Sequence, residues 1–91
     1  MPTTPPPPMQ ITVRYFASLR ESLGSSETLA LSPGQTLGQL RDSLIARGGR
    51  HAELLARGRA LRCALNQVMA DEASVVPDGA EVAFFPPVTG G

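Results

Sequence analysis

Few side chains in this 91-residue sequence are of a kind that does chemistry, and they are scattered. His51 is the only histidine; it stands between Arg50 and Ala52 at the start of a helical stretch. It is the one centre a histidine triad could use, but a surface or capping group is the expected reading. Cys63 is the only cysteine and lies in the apolar run Leu61–Leu65. It reads either as a thiolate or persulfide nucleophile or as a small buried hydrophobe, the common state of a free cysteine. Without a second cysteine there is no internal disulfide, and without a Cys/His cluster no metal site is expected. Asp71-Glu72 is a carboxylate pair, but adjacent acids in a turn-like stretch are ordinarily solvated. No glycine pattern of the phosphate-cradling type is present. Convergent acid, base, nucleophile or metal groups, the usual content of an enzyme site, are missing.

The chain end offers a different kind of chemistry. The sequence closes Phe84-Phe85-Pro86-Pro87-Val88-Thr89-Gly90-Gly91. Pro86 and Pro87 donate no backbone hydrogen bond, so a sheet ladder must stop there. The residues from Pro86 to Gly91 then reach at most about 20 Å when extended. Glycine in the last two places removes both Cβ atoms, which lets the terminus enter a narrow channel and turn freely. In that reading the reactive group is the Gly91 carboxylate. A carboxylate is a poor acyl donor, so a partner using ATP must activate it as an acyl adenylate. Attack by a sulfur donor would then leave a terminal thiocarboxylate, a good sulfur nucleophile. The same ending also reads as an incidental flexible terminus.

The elements that hold this tail follow from periodicity. Residues 1–8 (Met-Pro-Thr-Thr and four prolines) have little to bury and read as a disordered proline-rich extension, or as a start codon placed ahead of the true one at Met9. From Met9 to Phe16 apolar residues alternate, as in a strand. A helical turn over Ala17–Leu23 stops at Gly24, and Ser26–Leu31 alternates again, so the two runs form an antiparallel hairpin. Thr36 followed by Gln39 is a capping box, and Leu37, Leu40, Leu44 and Ile45 fall on one helical face ended by Gly48-Gly49. His51–Arg57 is a second short helical piece closed by Gly58. Leu61–Leu65, an Asn66-Gln67 turn, Val68-Met69, a Pro77-Asp78-Gly79 turn and the strand Glu81–Phe85 complete the chain.

Strand, strand, helix, strand, short strand, strand is the order of an α+β, ubiquitin-like β-grasp. Its expected form is a mixed sheet of four to five strands with one main helix across it. One domain over residues 9–85 followed by a tail over 86–91 is expected. The 42% hydrophobic content suffices for a core, which must be built from Leu, Val and Ala because aromatics are only 4%. Eight basic residues, all arginine, balance eight acidic ones. A neutral chain without a basic run gives no footprint for nucleic acid or an anionic membrane. No secretion signal or membrane-length apolar run is visible, so a cytoplasmic location is expected.

Two stretches carry a resemblance. Ile11-Thr-Val-Arg-Tyr-Phe-Ala-Ser-Leu-Arg-Glu21 with Gly24, and Asp78-Gly-Ala-Glu-Val-Ala-Phe-Phe-Pro-Pro-Val-Thr-Gly-Gly91, closely resemble the opening and the end of the MoaD family, the small sulfur-carrier subunits of molybdopterin synthase. Ala64-Leu-Asn-Gln67 looks like that family's middle strand. The resemblance implies that a MoeB-like adenylyltransferase activates Gly91 with ATP. A donor such as a cysteine desulfurase or a rhodanese would supply the sulfur. The tail, Val88, Thr89, Gly90 and Gly91, would enter a MoaE-like large subunit in a heterotetramer and give sulfur to cyclic pyranopterin monophosphate. Phe85, Pro86 and Pro87 match the partner-facing approach. The chain itself would bind no cofactor and supply no catalytic side chain.

Other readings use the same tail. A sulfur carrier for thiazole or cysteine synthesis, or a protein modifier conjugated through Gly91, also needs a free terminal Gly-Gly on a β-grasp. The Phe-Phe-Pro-Pro-Val-Thr run points away from the thiazole carrier. A plain binding module with an inert tail, or a carrier working through Cys63, are readings of other classes.

Overall fold

The computed structural model describes residues 9–86. The chain runs β1 (Met9–Tyr15), α1 (Ser18–Leu23), β2 (Ser26–Leu31), α2 (Leu37–Ile45), α3 (Gly49–Leu54), β3 (Arg62–Leu65), β4 (Val68–Ala70) and β5 (Glu81–Phe85). The five strands form one sheet in the order β2-β1-β5-β3-β4. β1 pairs antiparallel with β2 and parallel with β5, and β3 pairs antiparallel with both β4 and β5. A mixed sheet with its main helix on one face is the β-grasp arrangement expected from the element order.

Alternation decides which face is covered. Ile11, Val13 and Tyr15 of β1 and Val82 and Phe84 of β5 all point toward α2 and are buried. They meet Leu37, Leu40 and Leu44 from α2, together with Leu19, Leu55 and Val76. The helix starts where the sequence says it must. The Thr36 hydroxyl accepts the Gln39 N–H at 3.2 Å, and the Gln39 side chain accepts the Thr36 N–H at 2.9 Å. Two more N–H groups of the first turn have carbonyl partners in the loop before β5, Leu37 to Ser74 and Gly38 to Glu72. That approach is close: a Cβ on Gly38 would sit 3.2–3.3 Å from Glu72, so glycine is what lets the loop cover the helix start.

The hairpin from β3 to β4 turns through Asn66 (φ 51°) and Gln67 (φ 69°), both left-handed, as a two-residue turn of the type I′ class requires. The second helical piece differs from the expected His51–Arg57. It spans Gly49–Leu54: Leu55 caps it with its N–H on the His51 carbonyl, and the Glu53 carbonyl, which a longer helix would offer to the Arg57 N–H, accepts Arg59 Nε at 2.9 Å instead. Gly48, expected to end α2, stands at φ 77° as the N-cap of α3, and α2 closes earlier at Ile45. Among the described residues no helix is long and apolar enough to cross a membrane.

Candidate functional site

Among the described residues, the face of the sheet away from α2 has no covering helix. β5 is the third of five strands, so Phe85, its last residue, stands at an end of the middle of the sheet. Register places Arg14, Ala83, Ala64 and Met69 side by side across β1, β5, β3 and β4. Two alanines in the middle of that row leave a shallow trough between larger neighbours. On the tail side its rim is a pair of aromatic rings: Phe16 and Phe85 stack with centroids 4.7 Å apart and planes 15° from parallel. Arg14 lies over Phe16 at 5.4 Å and bonds Glu81 at 3.2 Å, which closes the other rim. Met69 stands 56% exposed at the far end. A trough with an apolar floor, aromatic rim and a few charges at its border has the make-up of an interface core.

Of the residues singled out from sequence, Phe85 and Pro86 sit at this rim, half-buried. Pro87, Val88, Thr89, Gly90 and Gly91 lie outside the described residues, as does the proline-rich stretch at residues 1–8.

The side-chain alternatives do not converge on a site. Cys63 is 6% exposed, and its thiol donates to the Ala70 carbonyl at 3.7 Å. Burial and the nearby Glu72 carboxylate push this thiol up, away from the reactive thiolate. His51 is not the surface or capping group expected. It packs edge-on against Tyr15 at 6.2 Å, with Nε2 buried and 3.6 Å from Glu27. Glu27 in turn accepts from Tyr15 Oη at 2.8 Å and Arg47 at 2.7 Å, so His51 belongs to a structural cluster tying α3 to the first hairpin. Glu72 is not simply solvated either: Arg41 at 2.7 Å and Arg57 both grip it. Asp71 accepts the Ala73 N–H at 2.9 Å and shapes its turn. Among the described residues no group of His, Cys, Asp or Glu side chains could hold a metal ion.

These carboxylates set an acid limit on stability. Burial alone would raise Glu27 and Glu72, but hydrogen bonds from Arg47 and Tyr15 to the first, and from Arg57 and Arg41 to the second, outweigh it and hold both below their ordinary value of 4.5. A carboxyl depressed in the folded state contributes stability above its unfolded pKa and loses it as pH falls through its folded pKa. The melting temperature is therefore expected to hold from neutral pH down toward 4.5 and then to drop; a pH titration of thermal melts checks this. Glu27→Gln should flatten the drop.

Arg41, a residue type ordinarily at the surface, is the one buried charged residue described, 3% exposed. A signal existed: it lies four residues after Leu37 and three before Leu44, on the same apolar helical face.

Comparison with known proteins covers nearly the whole chain. The ThiS family matches residues 13–91. The "molybdopterin synthase sulfur carrier subunit" of Escherichia coli K12 is 41% identical over 81 residues, spanning 89% of this chain and 99% of that one. Among solved structures, SAMP1 from Haloferax volcanii superposes with a TM-score of 0.71 at 26% identity, over 90% of this chain and 99% of its own. The complex of subunits 1 and 2 of molybdopterin-converting factor from Helicobacter pylori 26695 contains a similar chain, with a TM-score of 0.62 at 25% identity, over 91% of this chain and all of that one.

Proposed function

The chain belongs to the ThiS family, and we propose that it is the sulfur carrier subunit of molybdopterin synthase, acting through the carboxylate of Gly91. The observation that carries this reading is the 41% identity to the Escherichia coli sulfur carrier across 99% of that protein. The geometry supports it: a central strand ends with Phe85 at the rim of an uncovered apolar trough, and the described side chains form no reaction centre of their own. A MoeB-like adenylyltransferase joins the Gly91 carboxylate to the AMP part of ATP and releases pyrophosphate. The outer sulfur of a persulfide on a desulfurase- or rhodanese-type donor attacks the carbonyl carbon, and AMP leaves with the bonding electron pair. Two electrons from a thiol pair, which becomes a disulfide, then cleave the S–S bond of the acyl disulfide and release the donor's thiol and the thiocarboxylate. The thiocarboxylate then enters a MoaE-like large subunit and gives its sulfur to cyclic pyranopterin monophosphate. The chain returns as the carboxylate once water has replaced the sulfur. Catalytic side chains, and the ATP site, belong to the partners.

The trough is the surface on which these partners dock, with Phe85 as its anchor. Phe85→Ala removes a half-buried ring from the rim and leaves the α2-facing core intact. Its expected effect is a loss in large-subunit affinity larger than its loss in folding stability, about 2 kcal/mol against about 1 kcal/mol. Titration calorimetry beside thermal melts checks this; equal losses would place Phe85 with the core.

The pathway is tested by loading the chain with sulfur and then adding the large subunit and the pterin precursor. The mass of the loaded chain should fall back to that of the free acid as the dithiolene forms. Retention of the sulfur under those conditions, with delivery to a thiazole- or cysteine-forming system instead, would assign the carrier to another pathway. Isopeptide-linked Gly91 on lysines of other proteins would assign it to protein modification.

A further inference from the structure

The trough face carries one charge that no other described residue answers. The β3–β5 register sets Arg62 directly opposite Phe85. Directly opposite residues of an antiparallel pair share one face of the sheet, with Cβ atoms roughly 5 Å apart. Phe85 is therefore flanked by Phe16 on its β1 side and by Arg62 on its β3 side. Arg62 is exposed, and among the described residues it makes no ion pair and no side-chain hydrogen bond. The other arginine of this face is different. Arg14 brings its own anion, Glu81 at 3.2 Å, and lies against the Phe16 ring. Continuing the β3–β4 register by one step sets Asp71 beside Arg62, but this acid is engaged in its own turn. Its Oδ1 accepts the Ala73 N–H at 2.9 Å and the Ser74 hydroxyl at 3.5 Å.

We infer that Arg62 is a specificity-determining contact for the large subunit, which meets it with a carboxylate. This rests on the reading of the trough as the docking surface with Phe85 as its anchor. A partner that seals the Phe85 ring from water must also cover the residue directly across from it. Taking a guanidinium out of water is strongly unfavourable unless an anion meets it. Arg14 can be covered with Glu81 already attached, whereas Arg62 has no such companion, so the covering surface must supply the anion. A carboxylate is the side-chain group that fits, because it meets the planar guanidinium fork through two parallel hydrogen bonds. No bond within the described domain has to break when this contact forms. Phe85 then contributes affinity and Arg62 discrimination: a large subunit with an apolar or basic residue at that place would leave the charge buried and unpaired.

The test is titration calorimetry of the full chain and its variants with the MoaE-like large subunit of the same organism, at low and at raised salt. Arg62→Met keeps the aliphatic stem and removes the charge; it should weaken binding by about tenfold and reduce the salt dependence of the affinity. Arg62→Glu sets like charges together and should weaken binding by about a hundredfold. Arg62→Met should melt with the parent, because Arg62 has no partner within the described fold to lose. Asp71→Asn keeps an acceptor for the Ala73 N–H and should bind at least as tightly as the parent. Unchanged affinity in both Arg62 variants, beside a Phe85→Ala control that binds more weakly, would overturn the proposal and leave the docking surface standing. Unchanged affinity in the Phe85→Ala control as well would overturn both. An Asp71→Asn variant that loses as much as Arg62→Met would make the two a pair internal to this chain, and that too would overturn the proposal.

Discussion

A chain lacking Gly91 is expected to lose sulfur transfer by at least about a hundredfold while melting at the same temperature as the complete chain. Removing one residue moves the terminal carboxylate back by about 3.5 Å along an extended tail, far more than a positioned acyl group tolerates in a partner's channel. No compensation is available from elsewhere. Cys63 is buried with its thiol pushed up, and His51 is committed to the Tyr15–Glu27 cluster. The fold is indifferent to the deletion because its core draws on residues between Met9 and Phe84. Coupled measurements of dithiolene formation and thermal unfolding on the same preparation check both halves of the statement. A plain binding module would keep its function after this deletion.

The second large effect lies in the scaffold. Arg41→Ala is expected to destabilise the domain by about 3 kcal/mol or more, a fall in melting temperature of roughly 12–24 °C for a domain of this size. The Arg41 guanidinium donates to the carbonyls of Leu55 (2.7 Å), Ala56 and Arg59 (2.9 Å) and to Glu72 (2.7 Å). It thereby ties the chain after α3 and the loop before β5 to the middle of α2. Truncation leaves the buried Leu55 carbonyl without a donor and takes one of two donors from the carbonyls of Ala56 and Arg59, which keep the N–H groups of Arg59 and Leu61. Glu72 keeps Arg57 and is one-third exposed, so the loss comes mainly from those carbonyls. Arg41→Lys should restore little, because one ammonium nitrogen cannot span acceptors that the planar guanidinium fork meets together. Denaturant unfolding of the three proteins measures the difference, and a loss below about 1 kcal/mol for Arg41→Ala would show that the loops hold without it.

Local chemistry explains which parts of this architecture could be read in advance. The Thr36/Gln39 capping box fixes the α2 start by bonds within four residues, and the Asn66-Gln67 turn fixes the β3–β4 hairpin within two. The alternation of Val82 and Phe84 against Ala83 and Phe85 separated the two faces of β5 correctly, since a strand has period two. What escaped depends on contacts between distant segments. The chain after α3 is held by Arg41, fourteen or more residues away in sequence, through the Leu55 and Ala56 carbonyls, and Arg59 takes the Glu53 carbonyl that a longer helix would use. His51 is drawn inward by Tyr15 and Glu27, from two other strands. The trough needs the register of four strands to bring Ala64 and Ala83 together, and Phe16 meets Phe85 only because β1 and β5 run parallel. Phe85 and Pro86 were legible as an approach to the tail; the Arg14–Phe16 half of the same rim was not.

The account stands on a main-chain carboxylate, at the last residue, being the sulfur-bearing group. Its most direct measurement is fragment mass spectrometry of the chain after incubation with an active adenylyltransferase, ATP and a sulfur source. The predicted result is a single oxygen-to-sulfur replacement confined to the C-terminal fragment that contains Gly91, absent when ATP is withheld. Sulfur found instead on the fragment holding Cys63, or an unmodified Gly91 beside a control carrier that the same enzyme loads fully, would contradict it.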